Sequence, residues 1–509
     1  MSLLAIDLGS SRCKAVVFRE NGDPIGCNTQ IYEPEFPQPR YCEIDPEKFW
    51  IAAAKASRAA ARDLHGDSVQ ALCFSSHGET FIPVDKAGRA VAPAILNMDT
   101  RAAFQAGLCE QTIGRQRLFA ITGLVAHSMY PVPKIMWLRQ HRPEVLAATA
   151  QFLSVTDYIL RRLGLPPYID YSLAGRFLAF DITQHKWSSE ILSLAELDDS
   201  QLPVPVPAGT IAGKLRTDVA LAFGVPAGIP VVVAGHDQAC GALGVGVIEK
   251  GRISASMGTY ECVVAASDSP RLGNEALAAS LNSYSHVMPG QYATLAYFPS
   301  GIMVKWFRDL IFSSQRFSGS AQTSADERAT YDWLESQCPA GPSGLSITPH
   351  LFGTCNPDFD ECARGVIFGL SPDSGCGQVY KGILEGLACE LAEICTFLTQ
   401  AAGAFNEIYA SGGGAQSRLG LKLRASLTGR RIHVMQNPQS VGLGAAILTG
   451  VAAGTYSSIP EAVRQVVRVI ETIDPDSDMA ASYAIQKTKY QMLYAKLASV
   501  RQFDRANFL

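Results

Sequence analysis

Leu3-Leu4-Ala5-Ile6-Asp7-Leu8-Gly9-Ser10-Ser11-Arg12-Cys13-Lys14-Ala15-Val16-Val17-Phe18 decides the architecture of this chain. An apolar run ends in a lone acid. A glycine with two hydroxyl residues follows, then a second apolar run that closes at Asn21-Gly22. This order reads as strand, phosphate-sized loop, strand and reversal. The second half opens in the same way, with apolar residues 253–255 and 262–265 on either side of Gly258-Thr259. Two halves built alike predict an α/β fold of two duplicated nucleotide-binding domains facing each other across a deep cleft.

At 509 residues the chain is longer than one hydrophobic core normally supports, and two large domains are expected. The boundary falls near residues 247–251. The expected division is 1–248, 249–460 and a closing helical segment, 461–509, that packs back on the domains. Within this frame, residues 52–64 read as helix, 71–74 as strand and 135–139 as helix after Pro131 and Pro133. Residues 203–207 read as a loop and 313–329 as a polar surface insertion. A strand at 407–410 leads into Ser411-Gly412-Gly413-Gly414-Ala415 and a helix from Arg418.

Composition narrows the partners. With 43 basic and 47 acidic residues, net charge −4, and no long Lys/Arg run, nucleic acid is a poor partner. Thirteen cysteines without a C-x-x-C pair fit reduced thiols in a cytoplasm better than a disulfide framework or a zinc site. Residues 440–459 are uncharged but broken by Gly442, Gly444, Gly450 and Gly454, and read as a buried helix rather than a membrane span.

Two segments carry chemistry. In Val231-Val232-Val233-Ala234-Gly235-His236-Asp237-Gln238 a lone acid stands at the mouth of a buried strand, where it can take a proton from an alcohol. The same acid also suits a helix N-cap. In Ser256-Met257-Gly258-Thr259-Tyr260-Glu261 the glycine lets backbone N–H groups approach phosphate. Together they point to a kinase.

The chain resembles the FGGY carbohydrate kinases, which share the ribonuclease-H-like fold of actin and hexokinase. Residues 129–141, Met-Tyr-Pro-Val-Pro-Lys-Ile-Met-Trp-Leu-Arg-Gln-His, look like the first family signature. Residues 365–385 resemble the second, with Gly382 where that pattern prefers Ala or Ser. The resemblance implies ATP and Mg²⁺ as cofactors. It makes Asp7, Gly9, Ser10, Ser11 and Lys14 the first phosphate loop, with Asp7 and Asp237 beside the metal. Gly258 and Thr259 become the second phosphate loop, and Gly301 and Lys305 the segment along the nucleotide. Gly413, Gly414, Ala415 and Ser417 become the adenosine loop.

By the same resemblance Asp237 is the general base, and Gly78, Glu79, Asp99, Arg101, Asp237 and Gln238 meet the sugar. His77 reads equally as a packed loop residue, and Asp99 with Arg101 equally as a structural ion pair. His236 reads as structural. The family's W-x-D-x-R loop carries Asn97 here in place of the aromatic. The substrate implied first is D-xylulose or a related pentulose. Glycerol, erythritol or another polyol is the alternative, and a non-catalytic sugar sensor a third reading. A homodimer is a family expectation.

Overall fold

The computed structural model describes residues 2–64, 66–312 and 324–508. Two large sheets organise it, and their strand orders repeat. The first runs Ile211–Lys214, Pro230–His236, Val69–Ser76, Ser2–Leu8, Arg12–Arg19, Pro24–Ile31. The second runs Val469–Ile473, Arg431–Met435, Glu407–Ser411, Arg252–Met257, Tyr260–Ser267, Tyr292–Pro299, Asn282–Ser285. In each, three central strands are parallel and their flanks antiparallel. The second sheet adds one edge strand, Asn282–Ser285.

Parallel strands of this kind are buried on both faces, which explains the nearly unbroken apolar runs at residues 3–6, 71–74 and 231–234. Their carboxyl ends face one crevice, where ligands of open α/β sheets bind. Asp7 stands opposite Ser75 and Lys14, and Ser76 opposite His236. In the second sheet Ser256 stands opposite Ser411.

Between the sheets lies a layer of two helices, Asp237–Gly244 and Ser440–Ala452. Their buried residues join Leu3, Val16 and Cys73 of the first sheet and Val264 and Leu295 of the second in one apolar cluster. The helices touch backbone to backbone. A Cβ at Gly444 would lie 1.8 Å from the Cys240 carbonyl oxygen, and one at Gly244 would lie 1.9 Å from that of Ser440.

Some sequence boundaries move. The helix expected after Pro133 begins at Pro131 and ends at His141, because proline at the first helical position costs no hydrogen bond. The loop expected at 203–207 holds a short strand, Val204–Val206, parallel to Tyr168–Asp170, with Pro205 tolerated at an edge. The apolar glycine-rich stretch forms the buried helix Ser440–Ala452, and no helix among the described residues is long and apolar enough to cross a membrane. Most of the polar insertion expected at 313–329 lies outside the described residues. The last helices include Ser477–Lys496, which docks through Tyr483 on Glu385 (2.9 Å). All thirteen thiols are free.

Candidate active site

Asp237 is the first residue of its helix. The cap position falls on His236, which makes no side-chain capping bond, so the carboxylate does not serve as an N-cap. The Asp237 carboxyl is held well above the usual range by burial first, then by the charges of Asp7 and Glu79. Hydrogen bonds from Gln238, by backbone and side chain, oppose the rise. Burial likewise pushes Asp7 up to about 6, against the Ser75 hydroxyl, 3.2 Å away, and the charge of Lys14.

His236 closes one side. Its Nε2 lies 3.3 Å from Asp237 Oδ1 and its Nδ1 3.2 Å from the Tyr284 hydroxyl, a residue of the second sheet. Burial, then the Arg176 guanidinium and His77, hold this ring well below the usual imidazole range. His77 is packed, with Nδ1 at the Leu8 carbonyl (2.8 Å) and Nε2 at Thr80 (2.7 Å).

The loop carrying Gly78 and Glu79 sits against these groups. A Cβ at Gly78 would come 2.8 Å from Arg176 Cγ and 3.3 Å from His236 Cδ2. Glu79 adopts φ +63, an uncommon conformation for a residue with a side chain, and its carbonyl is held by Lys134 Nζ at 3.1 Å. Its carboxylate takes two bonds from Arg176, at 2.6 and 2.5 Å. Asp99 and Arg101 meet each other. Asp99 accepts from the Arg101 backbone N–H, from its Nε and from its Nη2, and also from the Cys42 N–H (2.6 Å), while the guanidinium lies 3.7 Å from the Tyr41 ring centre. This loop is bound up in a buried ion pair.

One cavity adjoins Asp7, and a second lies in the second half of the chain. The smaller, about 120 Å³, is lined by Asp7, Lys14, Ser256, Gly412, Gln439 and Ser440, so both sheets build it. Lys14 Nζ donates across it to Gln439 (2.8 Å). The larger, about 580 Å³, belongs to the second half and is walled by Gly258, Thr259, Gly301, Lys305, Gly413, Gly414 and Ser417. Glycine is required here by close approach: a Cβ at Gly301 would lie 2.5 Å from the Gly258 carbonyl oxygen, and one at Gly414 would lie 2.8 Å from Met257 Cβ.

Of the expected nucleotide residues, Ala415 lies behind the wall in the short helical turn Gly413–Gln416. Gly9, Ser10 and Ser11 form the hairpin turn after Asp7, where Gly9 N–H donates to the Arg12 carbonyl (2.9 Å). Lys305 is mostly exposed and paired with Asp309 (2.7 Å).

Sequence reasoning passed over Arg176, Tyr284, Ser75 and Gln439, and also the cavity-lining Arg424, buried on Glu261 (2.7 Å). Arg176 had a usable signal, a lone charge in Leu173-Ala174-Gly175-Arg176-Phe177-Leu178-Ala179-Phe180. The others gain their meaning from distant strands.

Duplicated sheets, acids at the ends of parallel strands, and a glycine-walled cavity in the second half define a two-domain phosphotransferase. Residues 2–244 match the FGGY family of carbohydrate kinases, N-terminal domain, and residues 253–453 its C-terminal domain. The chain is 28% identical to xylulose kinase of Escherichia coli (strain K12) over 97% of this chain and 99% of that protein. It is 25% identical to gluconokinase of Bacillus subtilis (strain 168) over 94% and 93%. A ligand-bound xylulose kinase from Lactobacillus acidophilus has the same fold, with TM-score 0.87 and 21% identity over 98% of both chains. The chain belongs to the FGGY family of carbohydrate kinases: it is an ATP-using phosphotransferase with an alcohol group as acceptor, as its sequence predicts.

Proposed function

We infer that this kinase phosphorylates D-xylulose or a related pentulose, with Asp237 as the general base. One observation carries the reading: a half-buried carboxylate, held above its usual range, opens a helix at the end of a parallel strand, 3.3 Å from a His236 ring that reaches Tyr284 of the second half. A carboxylate held above its usual range is a stronger base toward an alcohol proton than an ordinary one.

The residues present fit Mg²⁺ and ATP. Mg²⁺ keeps several waters and needs only one or two carboxylates beside substrate phosphates, and Asp7 and Asp237 provide two. Mg²⁺-bound ATP supplies the phosphoryl group and offsets its charge. Asp237 accepts the hydroxyl proton, Gln238 orients that carboxylate, and Lys14 faces the phosphate chain. Gly258, Thr259, Gly301, Gly413, Gly414 and Ser417 wall the nucleotide, and Gly78 and Glu79 bound the sugar.

The test is ADP release in a coupled assay across pentuloses, pentitols, tetritols, glycerol and gluconate, with Asp237→Asn alongside. The expected result is strongest turnover on a pentulose and a loss of about 10²–10⁴ in kcat for the variant. Preference for glycerol or a tetritol would replace the substrate assignment, and full activity of Asp237→Asn would remove the base.

A further inference from the structure

Arg176 heads the list of large side chains buried in this fold, 2% exposed, yet its guanidinium is only partly used. Nε and Nη2 grip Glu79. Nη1 is buried and has no hydrogen-bond partner among the described residues. A buried charged donor without an acceptor is costly, and a water, an ion or a ligand has to complete it.

Everything around the guanidinium fixes it in place. It lies between the Tyr130 and Tyr284 rings, 5.5 and 5.3 Å from their centres, one from each half of the chain. Tyr130 is itself tied to Asn282 (3.1 Å). The missing side chain at Gly78 makes room for the stem of Arg176, and that loop brings the pair up to His236, which touches Asp237. A planar fork held by one edge presents its free N–H in a defined direction.

We propose that Arg176 Nη1 donates to one oxygen of the sugar while Glu79 accepts from a neighbouring hydroxyl, so that the pair reads two adjacent oxygens of a neutral ketose or polyol. This rests on the kinase reading above and narrows its substrate class. The pair carries no net charge, and Asp237 lies near enough for its charge and that of Glu79 to act on each other. An aldonate carboxylate would meet like charge there, whereas a carbonyl or hydroxyl oxygen would not.

The experiment compares the best sugar found in the coupled assay with its singly deoxygenated analogues, in wild type, Arg176→Gln and Arg176→Lys. A site built to bond an oxygen rejects the analogue lacking it, by about 10²-fold or more in kcat/KM. In wild type one analogue is expected to show that loss. In Arg176→Gln the parent sugar falls by a similar factor, and the gap to that analogue closes to within about tenfold; Arg176→Lys keeps part of it. Each ratio is taken within one preparation, so a lowered folded fraction cancels. If turnover is too slow, the same ratio is read from sugar Kd by calorimetry. A gap unchanged in both variants overturns the assignment, as does an aldonate as best substrate. Activity surviving in Asp237→Asn would sink the base assignment and leave the analogue ratio intact, so the two failures are distinguishable.

Discussion

Lys134 shows how a single residue is paid for by the loops around it. Its amine is fully buried on the helix Pro131–His141 and donates to the carbonyls of Glu79 (3.1 Å) and Leu96 (2.6 Å), tying the proposed sugar loop to the Asn97–Arg101 loop. Burial pushes it down from 10.5 to about 7, against the attraction of Asp99 and Glu79. Between those values the unfolded chain holds a proton that the folded chain lacks, so stability rises with pH from about 7 toward 10.5, and the penalty is complete below 7. Lys134→Met removes this dependence. Urea unfolding at pH 7 and pH 9 is expected to show wild type gaining on the variant by up to about 1.4 kcal/mol per unit. Parallel curves would mean that the amine stays charged in the fold. At this scale much of the site was legible: Asp7, Asp237 and Gly258 stand at ends of apolar runs, where a polar residue is conspicuous. Ser75 and Gln439 were not, because each acquires its role only from a partner on another strand or in the other half.

Helices and strands were legible wherever the signal is local. The duplicated strand–loop–strand openings appear directly in the apolar pattern, and the glycine-rich helix Ser440–Ala452 was readable as buried. Its partner was not, since Gly244 and Gly444 are far apart in sequence and nothing near either names the other. Their contact matters because the facing helix begins at Asp237. Gly444→Ala puts a methyl 1.8 Å from the Cys240 carbonyl oxygen and forces the helices apart. Overpacking of this kind costs about 1–3 kcal/mol or more, and the melting temperature is expected to fall by several degrees, with kcat falling too as the proposed base shifts. Gly107→Ala is the control. It lies inside the helix Ala103–Ile113 with nothing within 4 Å, so a gain of about 0.5–1 kcal/mol is expected. A Gly444→Ala protein that melts and turns over like wild type would show that the helices separate freely.

Over the whole molecule, the position of the cavities bears on how transfer to water is avoided. The larger cavity is built by the second half alone and the proposed sugar loop by the first, while the smaller cavity draws walls from both. A nucleotide and a sugar bound separately in this way are joined by moving one half toward the other, which also expels water. The passage between the sheets runs through residues 245–251, between the helix that starts at Asp237 and the strand Arg252–Met257. Gly246 and Gly251 take φ +80 and +95 there, a conformation that glycine adopts without strain. The apolar layer between the sheets limits the motion to rotation about that layer, because separating it would expose the buried faces of both helices. Small-angle scattering is therefore expected to show little change with sugar or a non-hydrolysable ATP analogue alone, and a smaller radius of gyration with both. Equal profiles in all four states would place the two sites in their working arrangement before any ligand arrives, and exclusion of water would then have to come from loops.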